Sequence, residues 1–140
     1  MSRQNASYTI LDAKGATGAG NNIFCGDFRH IIFQVATDGN NDANFTLKFQ
    51  GSIGAGRTPD TIDKSPAFAS SQTVTNQWDY IEVIDLEDGS AVDGDTGISK
   101  AGGDDYRLFE ANINGLDWIN ARVTARSEGE ITVICRLFND

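Results

Sequence analysis

Apolar and polar side chains alternate along several short stretches of the chain. In Asn44–Ser52, for example, every second residue from Phe45 to Phe49 is apolar and the residues between them are polar. Because successive side chains of a β-strand point to opposite faces, this pattern predicts a strand with one buried face. The same reasoning predicts strands at Ser7–Leu11, Arg29–Val35, Tyr106–Ile113, Trp118–Arg126 and Ile131–Leu137, and a weaker one at Ala91–Ile98.

One apolar face of each predicted strand is expected to point into a shared core. Trp78–Leu86 differs, because it carries apolar residues in both phases, which is typical of a central strand. The residues predicted to face inward on the other strands are Ile31, Phe33, Val35, Phe45, Leu47, Phe49, Phe109, Ala111, Ile113, Ile119, Ala121, Val123, Ala125, Ile131, Val133, Cys135 and Leu137.

The connections between these strands carry turn-forming residues. Ala121–Phe138 predicts a hairpin of two alternating strands, with Gly129 at the turn position that usually needs a positive φ. Asp38–Asp42 contains Asp-Gly, which is also a hairpin signal. Asn112–Gly115 fits either a two-residue hairpin or a corner where the chain crosses between two sheets.

No stretch of the chain keeps the apolar spacing of an amphipathic helix over three turns. About seven or eight short strands joined by turn-rich loops indicate an antiparallel β-sandwich or jelly roll. The 140 residues are enough for a single domain, residues 1–140, with a short N-terminal arm and a long loop at residues 57–77.

Composition and charge narrow the classes of partner. The formal net charge is −9, so the chain would be repelled by phosphate backbones, and we expect no nucleic-acid partner. No apolar run approaches the roughly 20 residues of a membrane span, and no signal peptide is apparent, so we expect synthesis and folding in a cytoplasm. Cys25 and Cys135 lie in or beside apolar runs and are interpreted as two buried thiols, although a disulfide between them stays open.

The sequence offers little material for catalysis. His30 is the single histidine, which excludes a metal site built on a histidine pair, and we interpret it as a structural or surface residue. The glycine-rich run Gly15–Asn22 matches no phosphate-binding motif and is predicted to be a flexible loop. Asp93 and Asp95 are weak calcium candidates, because hairpin loops also prefer Asp and Gly. We therefore expect no enzyme activity and no cofactor.

Two features suggest binding rather than chemistry. The 57–77 segment is unusually long for a loop in a compact domain, and such loops are often functional. Its Arg57, Pro59, Ile62, Pro66 and Phe68 are the predicted partner contacts. A separate set of aromatic residues leaves a carbohydrate-binding module as the alternative: Trp78, Tyr80, Tyr106 and Trp118.

The segment Tyr106–Asn139 resembles the C-terminal part of many small β-sandwich proteins from tailed-phage virions. In those proteins a strand with an aromatic start leads to a glycine-containing corner, an arginine-containing strand, a glycine turn and a final strand. The matching elements here are Tyr106, Gly115, Leu116, Arg122, Gly129 and the run Ile131–Arg136.

The resemblance implies a virion structural protein, either a capsid decoration (cement) protein or a tail-associated component. It implies binding to the major capsid protein or other virion subunits, location in the virion, and self-association, with a trimer as the usual state of cement proteins. A tail-fibre or other tail-associated sandwich module is the variant of this hypothesis that overlaps with carbohydrate binding.

Overall fold

The computed structural model describes residues 5–38, 44–53, 78–101 and 106–139. Within these ranges the regular structure consists of β-strands. In chain order the twelve strands are β1 (Asn5–Lys14), β2 (Gly18–Ala19), β3 (Ile23–Phe24), β4 (His30–Asp38), β5 (Asn44–Ser52), β6 (Asp79–Tyr80), β7 (Val83–Asp85), β8 (Ala91–Val92), β9 (Ile98–Ala101), β10 (Tyr106–Asn112), β11 (Trp118–Glu128) and β12 (Glu130–Phe138).

The strands form two antiparallel sheets of six strands each. The first sheet has the order β1-β12-β4-β10-β7-β8. In the second sheet β11 pairs with β5, β2 and β3 pair with the free side of β11, and β6 and β9 pair with β5. The prediction of an antiparallel β-sandwich is confirmed, and the number of strands exceeds the expected seven or eight because several are only two or three residues long.

The core lies between the facing surfaces of the two sheets. Phe33 of the first sheet stacks on Phe49 of the second with ring centroids 4.0 Å apart, and Phe49 also meets Phe109 at 6.1 Å. Such aromatic pairs add roughly 0.5–1.5 kcal/mol to the free energy gained from burial alone. Every residue predicted to face inward is buried except Ala125.

Ala125 is exposed because β11 contains an irregularity. Val123 pairs with Leu47 and Ala125 pairs with the next residue, Thr46, so that β11 has one residue more than its partner strand at this point. A β-bulge of this kind shifts the alternation of side chains by one position. The alternating sequence therefore predicts the wrong side for Ala125.

The predicted hairpin at Ala121–Phe138 is wrong. β11 belongs to the second sheet and β12 to the first. At Gly129 the chain therefore passes from one sheet to the other, and the two strands do not pair with each other as a hairpin. Gly129 has φ of 88°, and its carbonyl oxygen accepts a hydrogen bond from Arg126 Nε at 2.7 Å. The alternation of apolar and polar residues predicts that a strand has one buried face, but it does not predict which strand lies beside it.

The same crossing occurs at the other two connections for which turn signals were noted. β4 lies in the first sheet and β5 in the second, so the hairpin predicted from Asp38–Asp42 is also wrong, and residues 39–43 lie outside the described ranges. For Asn112–Gly115 the corner is the correct alternative, because β10 and β11 belong to different sheets. Gly115 has φ of 96° at this corner.

Two predicted strands are each divided between the sheets. Trp78–Leu86 contains β6 of the second sheet and β7 of the first, so the single central strand predicted there is wrong. Its apolar residues occur in both phases because the two halves face the core from opposite sides. Ala91–Ile98 likewise spans β8 of the first sheet and the first residue of β9 in the second.

The glycine-rich run Gly15–Asn22 contains a strand where a flexible loop was predicted. β2 pairs with Arg122 and Val123 of β11. Gly20 donates its backbone N–H to the Ala121 carbonyl oxygen at 3.0 Å. A Cβ placed on Gly20 would lie 2.1 Å from the backbone oxygen of Ile10 on β1. Glycine is needed here for this close approach of two backbones.

Both cysteines are buried and free, which confirms their interpretation as buried thiols. Across the described ranges, the chain has no helix of the length and apolarity that crossing a membrane would need.

Candidate assembly surface

The predicted partner contacts belong to one segment of the chain. Arg57, Pro59, Ile62, Pro66 and Phe68 all belong to residues 54–77, which lie outside the described ranges. The described chain stops just after β5 and resumes just before β6, so both boundaries of this segment are at the second sheet.

Asp93 and Asp95 lie in the turn between β8 and β9. Asp93 Oδ2 accepts hydrogen bonds from the backbone N–H of Thr96 at 3.1 Å and from its hydroxyl at 3.2 Å. This is the ordinary turn-stabilising role of an aspartate. In the part of the chain that the structure describes, no group of three His, Cys, Asp or Glu side chains is arranged to hold a metal ion.

The candidate sugar-binding aromatics are in separate settings. Trp78 is buried, and Tyr80 lies under Lys48 Nζ at 4.9 Å from the ring centroid. Trp118 packs edge-on against Phe24, whereas Tyr106 belongs to the other sheet. The four side chains predicted to stack on a sugar do not form one exposed platform.

Neither thiol has the environment of a nucleophile. Burial raises the pKa of Cys25 to about 12, with Asp117 and Cys135 adding to the effect, and burial raises the pKa of Cys135 to about 11. The thiolate is the reactive form, and at neutral pH both residues are therefore held as unreactive thiols. His30 stacks on Phe138 with ring centroids 5.3 Å apart, in keeping with a structural role.

Four of the exposed large hydrophobic side chains of the described residues lie on the outer face of the first sheet: Leu86, Tyr106, Leu108 and Ile134. Because paired residues of neighbouring strands point to the same side, the register places Ile134, Gln34 and Leu108 in one row across β12, β4 and β10. Leu86 extends this row, since its N–H donates to the Leu108 carbonyl oxygen at 3.0 Å. This row is therefore apolar on both sides of β4, with the polar Gln34 at its centre.

The neighbouring row adds charge to this surface. Arg136, Ile32 and Glu110 are paired in register across β12, β4 and β10, and Ile84 of β7 pairs with Glu110. Tyr106 lies one row away on the other side. We call the following set the apolar outer face: Ile32, Gln34, Ile84, Leu86, Tyr106, Leu108, Glu110, Ile134 and Arg136.

Several large side chains of the apolar outer face are exposed. The exposed fraction is 38% for Ile134, 41% for Leu86, 46% for Leu108 and 77% for Tyr106. No other described residue covers them. A sheet that is apolar on both faces is normally covered on both, and contiguous apolar patches mark sites of protein interaction. The apolar outer face is therefore the candidate assembly surface.

The outer side of the second sheet is different. Lys48 and Arg122 are paired neighbours on β5 and β11, and Thr46 pairs with Ser99, with 3.3 Å between the two hydroxyl oxygens. Farther along, Asn120 is fully buried and bonds through its amide to Gly20 and Asn22. This side is polar around Lys48 and Arg122, whereas Phe24 and Trp118, which are paired on β3 and β11, form an apolar edge at which Phe24 is 49% exposed.

A small cavity opens at one end of the sandwich, between the sheets. Its volume is about 180 Å³, and its walls include Val35, Phe45 and Phe109. Arg107 pairs with the buried Asp85 at its polar side, and Arg107 Nε lies 3.4 Å from Glu87 Oε2. Since the arginine is already paired with two carboxylates, the cavity does not present a free positive charge to a ligand.

Sequence reasoning missed the apolar outer face, although a signal was present. β4, β10 and β12 each contain neighbouring apolar residues in opposite phases, as in Ile31–Phe33 and Leu108–Phe109. Only the apolar residues on one face of each strand are needed for the core. Apolar residues on the opposite face indicate a second buried surface.

Comparisons with known proteins support the fold. No protein-family model and no curated protein sequence matches the chain. Among solved structures, the chain is similar to the crystal structure of SPBc2 prophage-derived protein YomS, with a TM-score of 0.67 and 14% sequence identity. The alignment covers 98% of this chain and 95% of the YomS chain, so the likeness extends over the whole sandwich.

Proposed function

We propose that the chain is a non-enzymatic structural subunit of a bacteriophage particle, and more specifically a capsid decoration or cement protein that binds and stabilises the head surface. The observation that carries the proposal is the apolar outer face, because an apolar sheet surface that no described residue covers is what a subunit of an assembly presents. The prophage origin of the similar YomS protein supports a phage setting. The sequence resemblance of Tyr106–Asn139 to virion sandwiches supports it independently.

In this proposal the major capsid protein or another virion subunit is the partner, and the 57–77 segment supplies the contact. The protein is proposed to be a homo-oligomer on the virion. Its negative charge of −9 favours solubility before assembly and disfavours binding to the packaged genome.

The direct test is imaging of native particles. We expect density for the sandwich on the outside of the head, in a fixed ratio to the major capsid protein. Density confined to the tail would replace the decoration role by a tail role. Particles that never carry the protein would contradict the proposal as a whole.

Deletion of Thr61–Ser70 tests the attachment segment. We expect the deletion variant to keep a folded sandwich, because no described core residue is removed, and to lose binding to particles that lack the protein. Co-sedimentation with such particles measures binding, and the melting temperature of the variant controls for folding. Normal co-sedimentation of a folded variant would show that the segment is not the contact.

A further inference from the structure

The apolar outer face carries one positive and one negative charge, placed on either side of a central strand. Arg136 lies on β12, Glu110 lies on β10, and Ile32 on β4 lies between them in the same row. Neighbouring strands are about 4.8 Å apart, so the backbones at Arg136 and Glu110 are separated by about 10 Å. Arg136 Nε is directed away from Glu110, towards Ser7 Oγ at 3.4 Å.

We propose that this face packs against the same face of a second copy of the chain, related by a two-fold axis that runs parallel to β4. The pairing concerns the chain itself and holds whether or not the protein belongs to a phage particle. Two stacked sheets of this kind lie about 10 Å apart with their side chains interdigitated.

The proposed axis matches unlike charges and like surfaces. A rotation about this axis places β12 of one copy opposite β10 of the other, so Arg136 of each copy faces Glu110 of the other. The same rotation brings Ile134 opposite Leu108 of the second copy. Ile32 meets its own equivalent at the axis, and the two Gln34 amides can donate to and accept from each other. An isologous interface needs this kind of self-complementarity.

A second copy fits this face better than it fits the other sheet. On the outer side of the second sheet Lys48 and Arg122 are adjacent, so a two-fold pairing there would place positive charge on positive charge. On the apolar outer face the charges cancel between the copies. The net charge of −9 opposes association, but salt limits the range of this repulsion to about 8–10 Å.

The test is a charge exchange on the full chain. We expect the wild type to sediment as a dimer, or as another even-numbered assembly. Glu110→Arg alone and Arg136→Glu alone each create two like-charge pairs and should raise the dissociation constant about tenfold or more. Lys48→Glu makes the same change in net charge as Arg136→Glu on the opposite side of the molecule, and it should leave the dissociation constant unchanged.

Mixing the two single variants is the decisive arm. One variant then carries two negative charges on the face and the other carries two positive charges, so the mixture should form a heterodimer that neither variant forms alone. A charge pair within one chain would not produce this result. The double variant Glu110→Arg with Arg136→Glu should regain the wild-type mass, which also shows that the substitutions allow folding.

Three results would overturn the pairing: a wild type that stays monomeric at all concentrations, an assembly with an odd number of copies, or single variants that fail to recombine. The trimer implied by the resemblance is compatible with the proposed two-fold pairing only if two trimers pair to form a hexamer. In that case each single variant should be a trimer, and the mixture should restore the hexamer.

Discussion

At the scale of single residues, Cys25 and Cys135 show how strongly the core acts on its polar atoms. Both thiols are almost completely buried, and Cys25 Sγ lies 3.6 Å from the Leu116 carbonyl oxygen, its acceptor. Burial disfavours the charged thiolate, which raises the pKa of both groups. Their burial was predictable from sequence, because each lies in or beside an apolar run and small thiols pack as apolar groups.

The raised thiol pKa values predict a loss of stability at high pH. In the unfolded chain the thiols ionise near pH 9.0, whereas in the folded chain they ionise only near pH 11 and 12. The stabilisation is therefore complete below pH 9 and is lost as the pH rises from 9 towards these folded-state values. We expect the free energy of unfolding to fall by about 1.4 kcal/mol per pH unit for each thiol in this range.

Urea unfolding at pH 8, 9 and 10.5 measures this slope. The variant Cys25→Ala with Cys135→Ala is the control, since it keeps all other groups that titrate in the same range. We expect the variant to be less stable at pH 8 but to show a flatter dependence on pH. Equal slopes in the two proteins would contradict the prediction.

At the scale of elements, alternation predicted which residues of a strand are buried, but not where each strand lies. Phe45–Phe49 and Ile131–Leu137 face the core as expected. The neighbour of each strand, however, is chosen by contacts between residues far apart in the sequence, so local patterns do not determine it. Turn signals failed for the same reason, because a glycine with positive φ serves a crossing between sheets as well as a hairpin. Short strands such as β2 form because they pair with a longer strand, and they are too short to show an alternating sequence pattern.

Gly129 is the connection between the last two strands of the described chain. It alone joins β11 to β12, and its φ of 88° is strained for any residue with a Cβ. We expect Gly129→Ala to lower the free energy of unfolding by about 1–2 kcal/mol. Gly15→Ala is the matched control, because a Cβ there has no contact closer than 3.8 Å, and it should change stability by less than about 0.5 kcal/mol.

Chemical denaturation of the two alanine variants makes this comparison. An equal loss at both positions would show that backbone strain at the crossing is not the cause. Loss of the hydrogen bond from Arg126 to the Gly129 carbonyl oxygen would accompany any shift of this connection, so Arg126→Ala should also be destabilising.

At the scale of the whole molecule, the chain crosses repeatedly between the two sheets. β12 lies between β1 and β4 in the first sheet, and β11 lies between the short strands β2 and β3 and the long strand β5 in the second. The last two strands of the described chain therefore occupy interior positions in both sheets. The sequence indicated a sandwich, but this placement depends on the complete set of contacts.

Removal of residues 130–140 should abolish folding. The truncation takes away β12 with its buried Ile131, Val133, Cys135 and Leu137, and it separates β1 from the rest of the first sheet. We expect a chain ending at Gly129 to show no cooperative thermal transition by circular dichroism. A chain ending at Phe138 keeps all of β12 and should fold, although it loses the Asn139 bonds to Arg29 and Asp27.

The pairing of β1 with β12 has a practical consequence. Asn5 is the register partner of Phe138, so the first and last strands of the described chain begin and end side by side at one border of the first sheet. Opposite residues in such a ladder are about 5 Å apart. A fluorescent protein or an antigen fused before Asn5 and a second one fused after Phe138 would leave the sandwich from the same corner. Their two attachment points would be about 5 Å apart.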